Sequence, residues 1–572
     1  MYIPVAFQTL KTYSRSQFLA DLVAGLTVGV VALPLAMAFA IASGVSPERG
    51  LYTAVVAGFL ISLLGGSKVQ IGGPTGAFVV LVSAIMMEYG YNGLVVCTLM
   101  AGVMLIIMGL ARFGGMIKFI PFPVVTGFTS GIAVIIFSTQ IKDLLGLEMD
   151  DVPADFLPKW KAYVAHLGSI NWSAAIIGFA TIALIPLLRR LGPRVPAMLI
   201  VMVLAAVAAR LFQLPVETIG SRFGDLPNRL PSPSLPDFSF SQMQELFVPA
   251  LTMALLAGIE SLLSATVADG MIGTRHKSNM ELIAQGIANI GSGVMGGIPA
   301  TGAIARTATN VKCGARTPIA GMIHAITLLL ILIFLAPLAR EIPMACLAGI
   351  LVFVAYQMSE IEQFRKLFTA PRSDITVLLT TFFLTVLIDL TVAVQVGVVL
   401  AALLFIKRMS EVTNIGVVTR ELHDAADVED PNAASLRNIP DGVEVYEIYG
   451  PFFFGAAEKF KDTMTDMKLP AKVLIVRMRD VPAIDATGLN VLSEFCRHCS
   501  RNGTHLLLSD VHTQPVVALQ KSHLWNEMGE DNILGNLDAA LERARELLGL
   551  PPEPAPDDFP PTVERERTLP EE

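Results

Sequence analysis

Apolar residues dominate from Leu22 to about Ile406, in runs long enough to cross a bilayer and separated by short polar breaks. The pattern predicts spans near 22–43, 51–65, 75–88, 92–110, 119–141, 172–188 and 196–213. A second set follows near 246–269, 281–296, 300–311, 316–338, 343–358, 374–389 and 392–406. Two members, 75–88 and 300–311, are too short to cross a core of about 30 Å as helices. Each follows a Gly/Pro break, Gly72-Gly73-Pro74 and Gly296-Gly297-Ile298-Pro299, and reads as a half-helix that starts mid-membrane. From about Ser410 the pattern changes. A polar linker over 411–440 leads to Val443–Tyr449, which alternates like a half-buried strand. A helix from Ala456, a buried strand over Lys472–Val476, a helix after Gly488, a strand at Leu506–Leu508 and a helix over Leu537–Leu548 complete a small α/β domain, 441–549. The Pro- and acid-rich residues 550–572 have little to bury and read as a disordered tail.

The expected fold is thus a polytopic α-helical membrane protein of about fourteen spans, 1–410, followed by a small α/β domain. Composition agrees: 53% of the residues are hydrophobic and 16% charged, against about 25% charged in soluble proteins. The stretch from Leu22 runs into further spans without a small-residue cleavage site, so it is read as a span and not as a secretory signal. Basic residues are scattered and the net charge is −8, which gives no argument for nucleic acid as a partner. With a cytoplasmic N-terminus, the inside loops hold Arg112, Lys118, Arg189, Arg190, Arg194, Arg275, Lys277, Lys312, Arg316, Arg365, Lys366, Arg372, Lys407 and Arg408. The outside loops hold Asp150, Asp151, Asp155 and the Pro/Ser-rich stretch from Leu214 to Glu245, a positive-inside pattern that puts both termini in the cytoplasm.

The two breaks echo each other. Thr75-Gly76-Ala77 recurs as Thr301-Gly302-Ala303, 226 positions on, and Ile120-Pro121 recurs as Ile342-Pro343, 222 positions on. Seven spans per unit is an odd number, so the second repeat (about 246–408) is inverted relative to the first (about 20–213). Paired broken helices in inverted repeats mark a substrate site near the midplane. Each half-helix N-terminus presents unpaired N–H groups and partial positive charge, which suits an anion. The candidate site is Pro74, Thr75, Gly76, Ala77, Ala300, Thr301, Gly302 and Ala303. Small side chains there would let a ligand reach the N–H groups, and the two threonines add hydroxyl donors. Arg306, about one turn into the second half-helix, is a costly intramembrane cation that suits a cavity. Packing of small residues is the bland alternative, but it leaves the prolines, the shortness and the repetition unexplained. Glu260 is the other expensive residue. A carboxylate at that depth suits proton uptake and release, Ser264 one turn on would add an oxygen for Na⁺, and a structural partnership with Arg306 is the alternative. Cys496 and Cys499 have CxxC spacing but no second pair, and read as helix residues before a ligand set. There is no Ser/His/Asp order, P-loop or metal cluster, so neither an enzyme nor a cofactor is expected.

These residues resemble the SulP family of anion transporters with a C-terminal STAS domain. Pro47-Glu-Arg-Gly50-Leu51-Tyr52 is similar to that family's signature except at Arg49, Ser278–Asn289 resembles another block, and Asp485-Ala-Thr487-Gly488-Leu489 resembles the STAS loop. The resemblance implies a core (spans 1–4 and 8–11) moving against a gate (5–7 and 12–14), a homodimer in a lipid membrane, and alternating-access transport of an anion coupled to H⁺ or Na⁺ or by exchange. Pro34-Leu35 and Glu260 look like bacterial inner-membrane members that take up C4-dicarboxylates with protons; sulfate or bicarbonate transport, and a channel or motor of the same architecture, are the alternatives. Thr487 stands where related STAS domains carry a phosphoacceptor; a hydroxyl capping the following helix is the structural reading.

Overall fold

The computed structural model describes residues 3–115, 121–149, 152–153, 155–190, 195–225, 227–237, 240–388, 390–412, 414–417, 437–465 and 471–552. Lys118, Ile120, Asp150, Asp151, Arg194, most of the expected linker and nearly all of the tail fall outside them. The chain divides into two compact units, Met1–Ala401 and Ala402–Glu572.

A helix stands at every expected span: α1 Arg15–Ala42, α2 Pro47–Leu64, α3 Ala77–Leu110, α4 Phe122–Leu145, α6 Trp172–Arg189 and α7 Ala197–Leu211, then α8 Phe247–Ile272, α9 Ser278–Val294, α10 Ile304–Lys312, α11 Ile319–Ala339, α12 Met344–Met358, α13 Arg372–Leu387 and α14 Leu390–Val412. Helix α5, Phe156–Ala165, lies in the loop before α6 and had no counterpart in the hydropathy pattern. Eight helices among the described residues are long and apolar enough to cross a membrane. Helix α3 carries two expected segments in one element. At Gly90 the backbone turns to φ 66°, a left-handed value that glycine adopts without Cβ strain, and the half-helix Ala77–Tyr89 is thereby offset from Tyr91–Leu110.

The packing obeys an inverted-repeat symmetry. Helix α1 packs on α11, and its repeat partner α8 packs on α3; α2 packs on α11, and α9 on α3; α4 packs on α13, and α12 on α6. Helices α2 and α9 pack on each other, as do α4 and α12. The first group is the core and the second the gate. Close approach rests on small residues, because lipid supplies no hydrophobic drive between helices. A Cβ added at Gly286 in α9 would lie 2.5 Å from the Gly102 carbonyl oxygen of α3, and one at Gly102 would lie 2.8 Å from the Gly286 oxygen.

One buried carboxylate joins the start of α1 to the start of α11. Asp21 accepts from the Arg316 N–H (2.8 Å), the Thr317 N–H (3.2 Å), the Thr317 hydroxyl (2.5 Å) and the Tyr13 hydroxyl (3.0 Å). Four donors satisfy a charge that would otherwise be prohibitive when fully buried.

The second unit holds one four-stranded sheet of β3 Asn414–Val417, β4 Val443–Tyr449, β5 Val473–Asp480 and β6 His505–Ser509. Strand β3 runs antiparallel to β4, and β4, β5 and β6 are parallel. Along β5, Leu474 and Val476 face the core containing α15 (Phe454–Thr465) and α16 (Ala486–Arg501), while Val473 and Ile475 face α18 (Leu537–Leu548). Both faces are covered, which is why this strand reads as an unbroken apolar run. Helix α17, Thr513–Lys521, follows β6. Strand β3 corrects the expectation of a linker throughout 411–440: the free edge of β4 supplies its backbone partners.

Gly286→Leu is expected to destabilise the transport unit by roughly 1–3 kcal/mol through overpacking against backbone. Thermal unfolding of the detergent-purified protein checks this; a melting temperature equal to wild type would count against the close α3–α9 crossing.

Candidate functional site

The two breaks meet. Gly72–Gly73 (β1) pairs antiparallel with Thr301–Gly302 (β2), Gly72 opposite Gly302 and Gly73 opposite Thr301. The Ala303 N–H extends the ribbon by donating to the Ile71 carbonyl (2.8 Å). Irregular backbone at this depth survives only where protein satisfies it, and the satisfying groups can be read in order. Asn289 accepts from the Ala300 N–H (2.8 Å) and donates to the Ala300 carbonyl (2.9 Å). The Thr53 hydroxyl accepts from the Ile298 N–H (2.7 Å), and Tyr91 donates to the Gly297 carbonyl (2.9 Å). Arg49, the departure within the signature, donates to the Gly296 carbonyl (3.2 Å) with its guanidinium over the Tyr91 ring, 3.4 Å from the centroid.

Helix α8 lays a polar stripe against both breaks. Glu260, Ser261 and Ser264 occupy one face of it, since residues three and four apart align. The Thr75 hydroxyl donates to Glu260 (2.9 Å). Ser261 and the Thr301 hydroxyl lie 2.6 Å apart, Thr301 also donates to the Ala257 carbonyl (3.1 Å), and Ser261 accepts from the Gly302 N–H (3.1 Å). Ser264 donates to Thr307 (3.1 Å), whose hydroxyl accepts from the Ile71 N–H (3.0 Å). Gln70 donates to the Ser261 carbonyl (2.7 Å).

The residues expected at the two breaks, with Glu260 and Ser264, come together in the first unit, but their hydrogen bonds differ from expectation in the second break. Ala300, Thr301, Gly302 and Ala303 are committed to the protein and leave no donor for a ligand, because β2 uses the Thr-Gly pair itself as ribbon. In the first break the ribbon uses the two glycines before Pro74. The N–H groups of Thr75, Gly76 and Ala77 keep no hydrogen-bond partner, and neither do those of Ile304, Ala305 and Arg306 in the first turn of α10. The open donors of the second half-helix lie one step further along the chain than expected. Ile304 and Ala305 are exposed, while Pro74 to Ala77 are buried. Ser264 directs its hydroxyl proton to Thr307, on the same face of α8 as Glu260.

Arg306 is 3% exposed. One guanidinium nitrogen, Nη2, donates to the Pro74 carbonyl, so the second half-helix grips the first break. The other, Nη1, is buried without a partner. It fits because Gly73 has φ 148° and no side chain: a Cβ there would lie 2.8 Å from Nη1. Glu260 is half-buried and within Coulombic reach of Arg306, but the two form no direct ion pair.

In the second unit, Asp485 caps α16 by accepting from the Gly488 N–H (2.8 Å), and also accepts from the Phe454 N–H (3.2 Å). The capping role expected of Thr487 thus belongs to Asp485, and Thr487 stands exposed in the first turn. Cys496 and Cys499 are buried on the inner face of α16, and burial pushes the Cys499 thiol up to about 12. Asp269, His276 and Ser278 do form a hydrogen-bonded chain, 2.7 Å and 2.9 Å, that the spacing did not suggest. It is closed by the His276 N–H on Asp269 (2.7 Å) and staples the loop between α8 and α9.

Residues 18–381 match the sulfate permease family and residues 436–540 the STAS domain. The chain belongs to the sulfate permease family. It is 42% identical to "Putative sulfate transporter YvdB" of Bacillus subtilis over 92% of this chain and 98% of that one. It is 30% identical to "Bicarbonate transporter BicA" of Picosynechococcus over 93% and 95%. The solved transmembrane domain of a cyanobacterial BicA superposes with a TM-score of 0.60 at 30% identity, covering 68% of this chain and 98% of that one. Murine Slc26a9 in its inward-facing state superposes with a TM-score of 0.85 at 17% identity over 95% and 94%, a likeness of fold. This is a multi-pass membrane anion transporter with a C-terminal STAS domain, and family members are transporters, not enzymes.

Ser261, Gln70, Asn289 and Thr307 were not singled out from the sequence. The signal was there: buried polar residues in apolar helices, and Ser261 beside Glu260 on the stripe. Ser261→Ala is expected to leave the buried Gly302 N–H unpaired at a cost of about 1–3 kcal/mol, lowering the melting temperature and anion uptake together. Unchanged values for both would remove Ser261 from the site.

Proposed function

We propose that the chain is a secondary active transporter of a small inorganic oxoanion, sulfate foremost, working by alternating access at the gap between the two breaks. The observation that carries this reading is the buried guanidinium of Arg306, with Nη1 unpaired, beside the free N–H groups that open both half-helices. Backbone N–H groups and one cation make a compact anion site that needs no recognition of carbon. A C4-dicarboxylate carries two carboxylates several bonds apart. Arg306 is the buried cation beside the free half-helix N–H groups, Arg49 is occupied by the Gly296 carbonyl and the Tyr91 ring, and a second carboxylate would meet Glu260. The lean towards dicarboxylates drawn from Pro34-Leu35 therefore gives way to the alternative, which the relatives named for sulfate and bicarbonate also support. Bicarbonate is the second reading, favoured by the two cyanobacterial relatives at 30% identity.

Substrate binding is assigned to Pro74, Thr75, Gly76, Ala77 and Arg306, with Ala300 to Ala303 as the scaffold that aims α10. Glu260 is the coupling residue: its charge state reaches the first break through the Thr75 hydroxyl. The basic loops at Arg112, Arg189, Arg275, Lys277, Lys312 and Arg316 support a cytoplasmic N-terminus and STAS domain. The exposed Thr487 hydroxyl at a helix start suits a phosphate, since added negative charge is favourable there.

Uptake of labelled sulfate, bicarbonate and fumarate into proteoliposomes, with and without pH and Na⁺ gradients, tests this. Sulfate is expected to accumulate and fumarate to stay at the level of empty liposomes; the reverse ranking would overturn the substrate assignment. Arg306→Ala removes a charge-assisted donor worth about 1.5–3 kcal/mol and should weaken sulfate binding by roughly 10- to 100-fold. Glu260→Gln should leave sulfate binding in place and slow proton-driven uptake by about tenfold.

A further inference from the structure

Helix α11 carries a histidine that none of the assignments above uses. His324 is fully buried among apolar helices, and neither ring nitrogen has a hydrogen-bond partner. The Val28 carbonyl of α1 stands nearby without completing a hydrogen bond. A neutral imidazole always carries one N–H and one lone pair. Leaving both unpaired in a core costs free energy that a leucine or phenylalanine would not, so the ring calls for an explanation beyond packing.

Its position supplies one. Ala54 and Gly58 lie one turn apart on the same face of α2, and β1 lies across that face. A Cβ at Gly58 would stand 3.1 Å from the Gly72 carbonyl oxygen and 3.8 Å from His324 Cδ2. A Cβ at Gly73 would stand 2.8 Å from Arg306 Nη1 and 3.5 Å from the Ala54 Cα. The imidazole and the unpaired guanidinium nitrogen thus back onto neighbouring residues of one ribbon, close enough for a charge on the ring to be felt at Arg306. The surroundings contain little else that is charged. Helices α1 and α2 present Val28, Gly29, Ala54 and Gly58 at this level, and Asp21 lies about two turns away on α1 with all its bonds filled. Helix α10 contributes Arg306, and α8 contributes Glu260, which is within Coulombic reach of Arg306.

We infer that His324 is a buried proton-binding residue linked to the anion site, taking up a proton from solvent when an anion settles beside Arg306 and returning it when the anion leaves. The inference rests on the reading of Arg306 as the anion's cation. The physical link is reciprocal. While Arg306 is uncompensated, a second positive charge behind β1 is repelled. An anion at Arg306 cancels that repulsion, and a protonated ring in turn strengthens anion binding by the same factor. The protonated ring donates from both nitrogens, and the Val28 carbonyl is in place to accept one of them. No bond but that to the proton forms or breaks.

The test uses the full-length protein in detergent and sulfate as the probe. Between about pH 8 and about pH 4.5, a window that reaches below the ordinary imidazole range, wild type should gain sulfate affinity by about tenfold. It should also take up protons from weakly buffered solution when sulfate is added. His324→Asn and His324→Gln should keep the affinity measured at alkaline pH and lose both the rise and the proton uptake. Retained alkaline binding shows that the His324 variants are folded. The inference is overturned if either variant keeps the wild-type pH profile, or if binding is lost at every pH with an unchanged melting temperature. Arg306→Gln separates the two ideas. If it binds sulfate as wild type does, the anion site itself is misplaced, whatever the His324 variants do.

Discussion

Four residues of backbone hold the transport unit together. Gly72 and Gly73 pair with Thr301 and Gly302, and through this ribbon two helices that begin mid-membrane satisfy each other's broken ends. In hydrocarbon each unpaired N–H or carbonyl would cost several kcal/mol, so neither break can exist without the other. The remaining devices of the core serve this contact. Ser261 and Thr307 fill the hydroxyl positions around it, Asn289 and Thr53 fill the amide positions, and Arg306 ties the second helix back to the Pro74 carbonyl. The half-helix dipoles can be aimed at one spot because the ribbon fixes them relative to each other.

The spans were legible in the sequence because lipid demands long apolar runs and the chain supplies them at each place where a helix stands. The inverted repeat was legible from Thr75-Gly76-Ala77 and its echo. Its limit was legible only in three dimensions. Equal strings suggest equal roles, whereas Thr75 caps Glu260's carboxylate and Thr301 is consumed by Ser261 and Ala257. The difference comes from register: the first break spends the glycines ahead of its threonine on the ribbon, and the second spends the threonine itself. No local pattern announces which residues will pair, because pairing is decided by the helix that lies across them.

Other misreadings have similar causes. Thr487 looked like a helix cap because threonine often is one, but Asp485 precedes it and a carboxylate reaches the Gly488 N–H first. The edge strand Asn414–Val417 alternates, with Ile415 and Val417 two apart, but at four residues it is too short to stand out at the start of a polar linker; β4 has a free edge to offer it. The chain Asp269–His276–Ser278 had no signal in the sequence, and its bonds fold back on their own loop.

The unequal use of the two breaks has a consequence for any cycle built on the repeat. Two inverted copies with identical contacts would make inward- and outward-open forms related by a two-fold rotation in the membrane plane and equal in free energy. Here one half-helix start is pinned by Arg49, Thr53, Tyr91 and Asn289, while the other is held by a different set, Arg306 on the Pro74 carbonyl, Thr307 on the Ile71 N–H and Thr75 on Glu260. The degeneracy is lifted by sequence alone. In any such cycle the two end states would differ in free energy before a gradient acts.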